Sequence, residues 1–287
     1  MSRTILQYLI MSTGEPPGRT HTSISFKWHL GSKAREGRYG PVFLALRDDT
    51  AELITAEQIA LDGLCDNAES VVALLESRLA TSNPPGLVSY LGYEVKEEHV
   101  FILREYMPGG TIREFIRNYG AIPDSLSCSF LRQIIVGLEQ MYEQGITGIF
   151  LDSESVLLDN KGIVKIEAPL LGVTTTGRPP PSTILTPPEL KLGQEPTHKA
   201  DAWLLGIIAA ELLTGHCSLA EGSAASSAAA KIEEVQGSAL DLLVPQAKAS
   251  KLDEQALDFI RQCLSVDVNQ RPNVSDLLGH PFLSSPS

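Results

Sequence analysis

The chain has 287 residues, of which 43% are hydrophobic and 20% are charged, and its formal net charge is −12 at pH 7. The composition is ordinary for a globular protein, and the length suffices to bury the core of one large domain or of a two-lobed one. The acidic balance argues against a nucleic-acid or anionic-membrane partner, and no apolar run reaches the roughly 20 residues that cross a bilayer.

The N-terminal stretch and the cysteines both predict a cytoplasmic protein. The apolar run at 5–11 is too short for a secretory signal, and residues 1–23, which include Gly-Glu-Pro-Pro-Gly, are expected to form a weakly ordered leader. The four cysteines, at positions 65, 128, 217 and 263, lie far apart and lack C-x-x-C spacing. This spacing favours reduced thiols over zinc ligands or disulfides.

Strands around a glycine-rich turn open the folded part of the chain. The runs ISFKWHLGS and YGPVFLALR are apolar and β-prone, with glycines at 31, 37 and 40 between or within them. The next predicted strand, ELITAEQIAL, contains Glu57, and residues 69–79 have helical periodicity. Residues 126–144 repeat apolar side chains at helical spacing, which predicts a long core helix.

The central stretch of the chain is a predicted hairpin with the turn Asp159-Asn160-Lys161-Gly162. VLL precedes this turn and IVKI follows it, and Asp, Asn and Gly supply the turn conformers. The hairpin resembles the metal-binding strand of eukaryotic protein kinases, which carry L-L-D-x-x-G-x-V-K-I at this place.

Other stretches resemble the same family in the same order. Residues 30–42 resemble its glycine-rich loop, with four extra residues at 33–36 that predict a longer and less curved loop. Glu105-Tyr106-Met107 resembles the hinge, and TPPEL resembles the Ala-Pro-Glu motif. KADAW and HPFL resemble segments of the large-lobe helices, and these sequences are most similar to those of the STE group and its MAP kinase kinase kinases. The resemblance implies an α+β, two-lobed protein kinase-like fold, with a β-rich lobe at 24–106 and a larger, mainly helical lobe at 107–283.

The family's chemical positions hold other residues in this chain. Glu57 replaces the third-strand lysine that grips the nucleotide phosphates, and Phe150 replaces the aspartate that accepts the substrate proton. Asp152 stands at the catalytic-loop lysine position, Ser155 at the asparagine position, and Ala168 at the metal-binding aspartate position. The small-lobe glutamate that would pair with the lysine falls on a valine, at 71 or 72.

The positions that shape the family's frame are kept. The resemblance implies structural roles for Glu189, Asp201 and Arg271, with Arg271 pairing Glu189. It also implies a vestigial nucleotide pocket, whose predicted lining is Gly31, Gly37, Gly40, Val42, Arg104, Glu105, Met107 and Leu157. Arg104 precedes the hinge on a strand that neighbours the strand of Glu57. The two side chains are therefore predicted to form a buried pair in space that adenine and phosphates would take, the alternative being an arginine that extends to solvent.

The pattern of losses predicts a pseudokinase, a kinase-like domain that is not an enzyme. On this interpretation the chain binds no cofactor and acts as an interaction or allosteric module on a protein partner, such as an active kinase. The alternative is an atypical Ser/Thr kinase or ATP-binding protein with Mg²⁺. In it, Lys33, Arg35 or Arg38 replaces the lost lysine, and Asp152 or Glu167 supplies carboxylates, although neither acid is in register. A decaying paralogue with no selected role is the third possibility.

Overall fold

A computed structural model describes residues 23–60, 76, 79, 83–96, 99–145, 151–168, 186–195, 197–216, 240, 243–244 and 249–284. Contacts divide the chain into two units, and the division after the fifth strand falls between Tyr106 and Met107. Residues 85–87 belong with the second unit. Most of the predicted helix at 69–79 and the position of Phe150 lie outside the described residues.

The small unit is built on an antiparallel sheet of five strands in the order β1-β2-β3-β5-β4. The strands are β1 (Trp28–Glu36), β2 (Pro41–Arg47), β3 (Leu53–Ala60), β4 (Tyr90–Lys96) and β5 (His99–Glu105). One face buries a cluster formed by Trp28, Ala45, Ile54, Ala56, Phe101 and Leu103. Because alternate strand residues point to opposite faces, Thr55 and Glu57 lie on the other face of β3.

The four extra residues near the glycine-rich turn lengthen a strand rather than the turn. Residues 33–36 belong to β1, and its pairing with β2 shifts register between Leu30 and Lys33 and again between Lys33 and Arg35. Such β-bulges place additional residues on one strand without moving its partner. The prediction of a longer, less curved loop is therefore wrong: the Gly37 N–H donates to the Gly40 carbonyl at 2.8 Å, which closes a tight turn.

The large unit combines a three-stranded sheet with helices. The sheet consists of β6 (Gly110–Thr111), β7 (Val156–Leu158) and β8 (Val164–Ile166). The helices are α1 (Ile112–Tyr119), α2 (Asp124–Glu143), α3 (Pro188–Lys191), α4 (His198–Thr214), α5 (Glu254–Cys263) and α6 (Pro281–Ser284), with a 3₁₀ helix at Ser275–Gly279. The predicted helix at 126–144 is thus confirmed within α2.

Local sequence explains how several of these elements begin and end. The Thr111 hydroxyl accepts the Glu114 N–H at 3.1 Å, and the Glu114 carboxylate accepts the Thr111 N–H at 2.9 Å, which is a capping box at the start of α1. The predicted hairpin turn is also confirmed. The Asp159 carboxylate accepts the backbone N–H groups of Lys161 and Ile163, each at 2.7 Å, and Gly162 adopts a φ of 81°.

Helix α4 forms the centre of the large unit's core. Its residues are apolar on all sides and nearly all are buried, as expected for a helix enclosed by other elements. It packs with α2 and α5 in one hydrophobic cluster that also includes residues of β7 and β8. Within the described part of the chain, no helix combines the length and the apolar character needed to cross a membrane.

Candidate functional site

In the small unit, Glu57 and Arg104 form a buried ion pair. The Arg104 Nη2 donates to the Glu57 Oε2 at 2.5 Å. The Glu57 side chain is 0% exposed and the Arg104 side chain is 2% exposed. The strand register explains the contact, because Glu57 lies opposite Ile102 and Arg104 lies two residues further along β5. The residues are diagonal neighbours on one face of the sheet. The predicted pair is confirmed, and the alternative of a solvent-exposed arginine is wrong.

The second oxygen of Glu57 binds the glycine-rich turn. The Tyr39 backbone N–H donates to Glu57 Oε1 at 2.9 Å. A Cβ at Gly37 would lie 2.5 Å from the same oxygen, and a Cβ at Gly40 would lie 2.0 Å from the Gln58 carbonyl oxygen. The turn therefore folds closely onto β3, and glycine is required at both positions because no side chain fits there.

Each oxygen of the Glu57 carboxylate thus has a donor. A carboxylate removed from water is costly unless it is paired and hydrogen-bonded, and here a guanidinium and a backbone amide supply both conditions. Arg104 also lies over the Tyr90 ring, with its Cζ 5.9 Å from the ring centroid. Glu57 is therefore an integral member of the small unit's interior.

The cations on the extended end of β1 are closer to solvent. Lys33 pairs with Glu36, and both side chains are largely exposed. Arg35 Nη1 donates to the Glu36 carbonyl at 3.3 Å, and Arg38 is exposed on the turn. An exposed pair of this kind contributes little to stability, so Lys33 can exchange Glu36 for another anionic partner at small cost.

The remaining predicted pocket positions are divided between the two units. In the small unit, Val42 is buried, Gly31 is exposed, and the Glu105 carboxylate accepts the Ser89 N–H at 2.7 Å. In the large unit, Met107 and Leu157 are buried.

In the large unit, the loop that follows residues 146–150 is held by Asp152 and Ser155. The Asp152 Oδ1 accepts the N–H groups of Glu154 at 3.1 Å and Ser155 at 2.8 Å. The Ser155 hydroxyl donates to the Asp152 carbonyl at 2.9 Å, and it accepts the Asp152 N–H at 3.0 Å. The Glu167 N–H donates to the Ser155 carbonyl at 2.8 Å, so the loop and the end of β8 are joined.

These residues do not fit the family's magnesium ions. The Ala168 side chain has no ligand atom, and the Ser155 hydroxyl is engaged by its own loop. Magnesium requires oxygen ligands in near-ideal octahedral geometry. Among the described residues, no group of three or more His, Cys, Asp or Glu side chains is arranged to hold a metal ion.

Arg113 anchors the same loop from helix α1. Its Nε donates to the Ser153 hydroxyl at 3.2 Å and lies 3.4 Å from a Glu154 carboxylate oxygen, and its backbone N–H donates to the Ser153 carbonyl at 2.9 Å. The side chain is buried, and its Nη2 has no hydrogen-bond partner within the described ranges. Nothing in the sequence distinguishes Arg113 as a site residue, because most arginines in helices lie on the protein surface.

The predicted ion pair between Arg271 and Glu189 in the large unit is confirmed. Arg271 donates to both carboxylate oxygens of Glu189, from Nη1 at 2.6 Å and from Nη2 at 3.1 Å. Its Cζ also lies 5.0 Å from the Trp203 ring centroid, and Nη1 donates to the Lys199 carbonyl. The bidentate geometry ties α3 to the segment after α5.

Asp201 is buried in helix α4 and binds Tyr142 of α2. The Tyr142 hydroxyl donates to Asp201 Oδ2 at 2.8 Å, while Oδ1 has no partner in the part of the chain that the structure describes. Burial raises the pKa of Asp201 to about 7, although the tyrosine hydrogen bond opposes that shift. The same burial and the nearby carboxylate raise the pKa of Tyr142.

Known proteins resemble the chain along nearly its whole length. Residues 28–283 match the protein kinase domain family. MAP kinase kinase kinase MST11 of Pyricularia oryzae is 29% identical over 90% of this chain and 30% of its own length. MAP kinase kinase kinase 2 of Arabidopsis thaliana is 26% identical over 94% of this chain and 43% of its own length. The chain therefore spans less than half the length of these curated relatives.

A solved structure supports the fold. The crystal structure of Rad53 1-466 in complex with AMP-PNP gives a TM-score of 0.68 at 22% identity, and the match covers 90% of this chain and 65% of that one. The predicted α+β kinase fold is therefore confirmed. The prediction that the chain is not an enzyme is wrong, because the matched family and the named relatives are kinases. The chain belongs to the protein kinase domain family and is related to MAP kinase kinase kinases.

Proposed function

We propose that the chain is an atypical serine/threonine protein kinase of the MAP kinase kinase kinase type. Its phosphoryl transfer uses charged side chains other than those of the family motifs. The observation that carries the proposal is the buried Glu57–Arg104 pair, in which the third strand carries a carboxylate and the neighbouring fifth strand carries the cation.

The small unit supplies cations for a nucleotide. Phosphoryl transfer depends mainly on positioning and on neutralising the charge of the phosphates. Lys33, Arg35 and Arg38 lie on or beside the glycine-rich turn, and the exposed pair with Glu36 holds Lys33 only weakly. In the proposed function these side chains and Arg104 take the part of the third-strand lysine.

The large unit supplies a carboxylate for the acceptor. Asp152 is half-buried, and two backbone N–H groups hold its Oδ1, which fixes the orientation of the carboxylate. A fixed carboxylate within reach of a substrate hydroxyl can accept its proton. Glu167, joined to the same loop through its backbone, is the second candidate. Because the metal positions do not fit, no step is assigned to Mg²⁺.

A radiolabelled-ATP assay tests the proposal, with an inactivated MAP kinase kinase as the acceptor. We expect slow labelling of the acceptor that falls at least tenfold in Asp152→Asn, while the exposed variant Asp267→Asn retains the wild-type rate. The assay is run with Mg²⁺ and with EDTA. Absence of labelling above the no-enzyme blank in both conditions would contradict the proposal.

A protein partner is a second function that the same site supports. Because the Glu57–Arg104 pair completes the small unit without any added group, the lobe can be ordered while it binds another protein. An active kinase of the same cascade is the partner that the relatives' names suggest. Copurification of such a kinase, followed by a change in its activity when the chain is added, would support this role.

A further inference from the structure

Strand β1 is weakly attached to the rest of the small unit along most of its length. Of its nine residues only Trp28 is buried, and Leu30 is 46% exposed. The strand lies at one edge of the sheet, and its pairing with β2 shifts register twice. A strand with few buried apolar contacts has low local stability, so its order depends on what holds its ends. The cations Lys33, Arg35 and Arg38 lie on this strand or shortly after it.

Trp28 attaches the start of β1 to the strand at the opposite edge of the sheet, β4. Its ring centroid lies 5.5 Å from that of Phe101, within the small unit's apolar cluster. Its Nε1 donates to a Glu94 carboxylate oxygen of β4 at 2.7 Å, and the Lys96 Nζ lies 4.4 Å from the indole centroid. The start of β1 is therefore fixed through β4 as well as through β2.

The five residues before Trp28, at 23–27, make a second connection between β1 and β4, and we call them the strap. The Ser23 N–H donates to the Tyr93 carbonyl at 3.0 Å, and the Ser23 hydroxyl accepts the Tyr93 N–H at 2.9 Å. Ile24 packs closely on β4, since a Cβ at Gly92, whose φ is 148°, would lie 2.2 Å from the Ile24 Cγ2. The strap therefore leads from β4 directly into β1.

The end of the strap next to β1 is attached as well. The Arg47 Cζ lies 4.1 Å from the Phe26 ring centroid, and the Lys27 carbonyl accepts the Asp48 N–H at 2.9 Å. Phe26 is only partly buried and Lys27 is exposed, as Ser23 is at the other end. A segment of this kind opens at lower cost than a core strand, so the strap can detach while the rest of the sheet stays folded.

We propose that the strap regulates the strand that carries the cations: when attached it fixes the start of β1, and when detached it lets β1 separate from β2. This deepens the proposed function and rests on it for the role of the cations. Neutralising the charge of phosphates requires cations at defined positions, which only an ordered β1 provides. Detachment of the strap therefore slows phosphoryl transfer, and the strap is a two-state element that acts on the site through β1.

Hydrogen exchange of the 287-residue chain, followed by mass spectrometry of its peptides, tests the strap. Ile24→Ser/Phe26→Ser removes the apolar contacts of the strap. Amides of residues 28–36 should then exchange about tenfold faster than in the wild type, while those of β5 keep their rates. Ser25→Ala is the matched control, since Ser25 is an exposed residue of the same strap and its loss should change neither set.

A second variant disturbs the strap from the other side of the contact. The Cβ of Gly92→Ala would displace Ile24, so this variant should also speed exchange at residues 28–36. If Ile24→Ser/Phe26→Ser does not fold, Phe26→Ala carries the same test. Unchanged exchange at residues 28–36 in the strap variants, or equal acceleration in β1 and β5, would overturn the role of the strap.

The labelling assay separates this inference from the proposed function. Ile24→Ser/Phe26→Ser should label the acceptor about threefold more slowly than the wild type, and Ser25→Ala should match the wild type. Faster exchange of β1 with an unchanged labelling rate would overturn the regulation and leave the kinase activity standing. A wild type that labels nothing would overturn the proposed function, whereas the exchange comparison would still decide whether the strap holds β1.

Discussion

Arg271 and Glu189, which are 82 residues apart in the sequence, form a bidentate pair in which the two Nη atoms of the guanidinium donate to the two carboxylate oxygens. The arginine is 0% exposed at its side chain and the glutamate 4%. Buried pairs of this kind do little for stability compared with apolar packing, but the loss of one member leaves a charge with no partner. The pair therefore makes the order of α3 dependent on the segment after α5.

Arg271→Met should lower the free energy of unfolding by about 3–5 kcal/mol, because Glu189 would stay buried without its cation. Urea denaturation followed by circular dichroism measures the change. Arg261→Met is the matched control, since Arg261 is mostly exposed and lies 4.0 Å from Asp258. Equal effects of the two substitutions would contradict the importance of burial.

Asp201 should make the chain less stable as the pH rises. Its pKa is about 7 in the folded protein against an ordinary value of 3.8, so the folded state holds a proton that the unfolded state lacks between these values. This group then lowers the free energy of unfolding by up to about 1.4 kcal/mol per pH unit from pH 3.8 to pH 7. Asp201→Asn should remove that slope.

The partner tyrosine provides an independent check on the same group. Tyr142→Phe removes the hydrogen bond that favours the charged carboxylate, so the pKa of Asp201 should rise and the falling part of the stability curve should extend to higher pH. Melting temperatures recorded from pH 4 to pH 8 for wild type and both variants give the comparison. A curve unchanged in Tyr142→Phe would contradict the assignment.

Gly37→Ala should destabilise the small unit by about 1–3 kcal/mol, because its Cβ would lie 2.5 Å from Glu57 Oε1. Gly279→Ala is the control, since a Cβ there meets nothing within 4 Å. Thermal unfolding measures both variants, and an equal effect at both glycines would show that the contact is unimportant.

Thr111→Ala should cost about 1 kcal/mol, because the first turn of α1 would lose the hydroxyl that accepts the Glu114 N–H. Thr111→Ser keeps the hydroxyl and should remain within a few tenths of a kcal/mol of the wild type. Denaturation midpoints by circular dichroism distinguish the two. Equal midpoints for Thr111→Ala and Thr111→Ser would show that the hydroxyl does not stabilise the start of α1.

The sequence predicted features that depend on local chemistry or on neighbouring strands. The turn at Asp159–Gly162 followed from its residue types, and the Glu57–Arg104 pair followed from the adjacency of two strands. The bulges in β1 could not be predicted, because register depends on the partner strand. The hydrogen bond from the Tyr39 backbone N–H to Glu57 could not be predicted either, because every residue except proline carries such a donor.

The error about enzymatic activity has a different origin. Substitutions at Glu57, Ser155 and Ala168 show that the family's own phosphate-binding and metal-binding groups are missing, but they do not show whether other side chains perform the same roles. In the small unit, for example, a cation, Arg104, is present on the strand next to that of Glu57. Comparison with relatives along the whole chain corrected an inference drawn from a few positions.

The location of Glu57 and Arg104 on two hydrogen-bonded strands limits how their contact can be controlled. In kinases that join a strand lysine to a helix glutamate, rotating the helix makes or breaks the pair. Here both members are carried by one ladder of backbone hydrogen bonds and travel together. Separating Glu57 from Arg104 by a movement of the backbone therefore requires the sheet itself to bend or to shift its register.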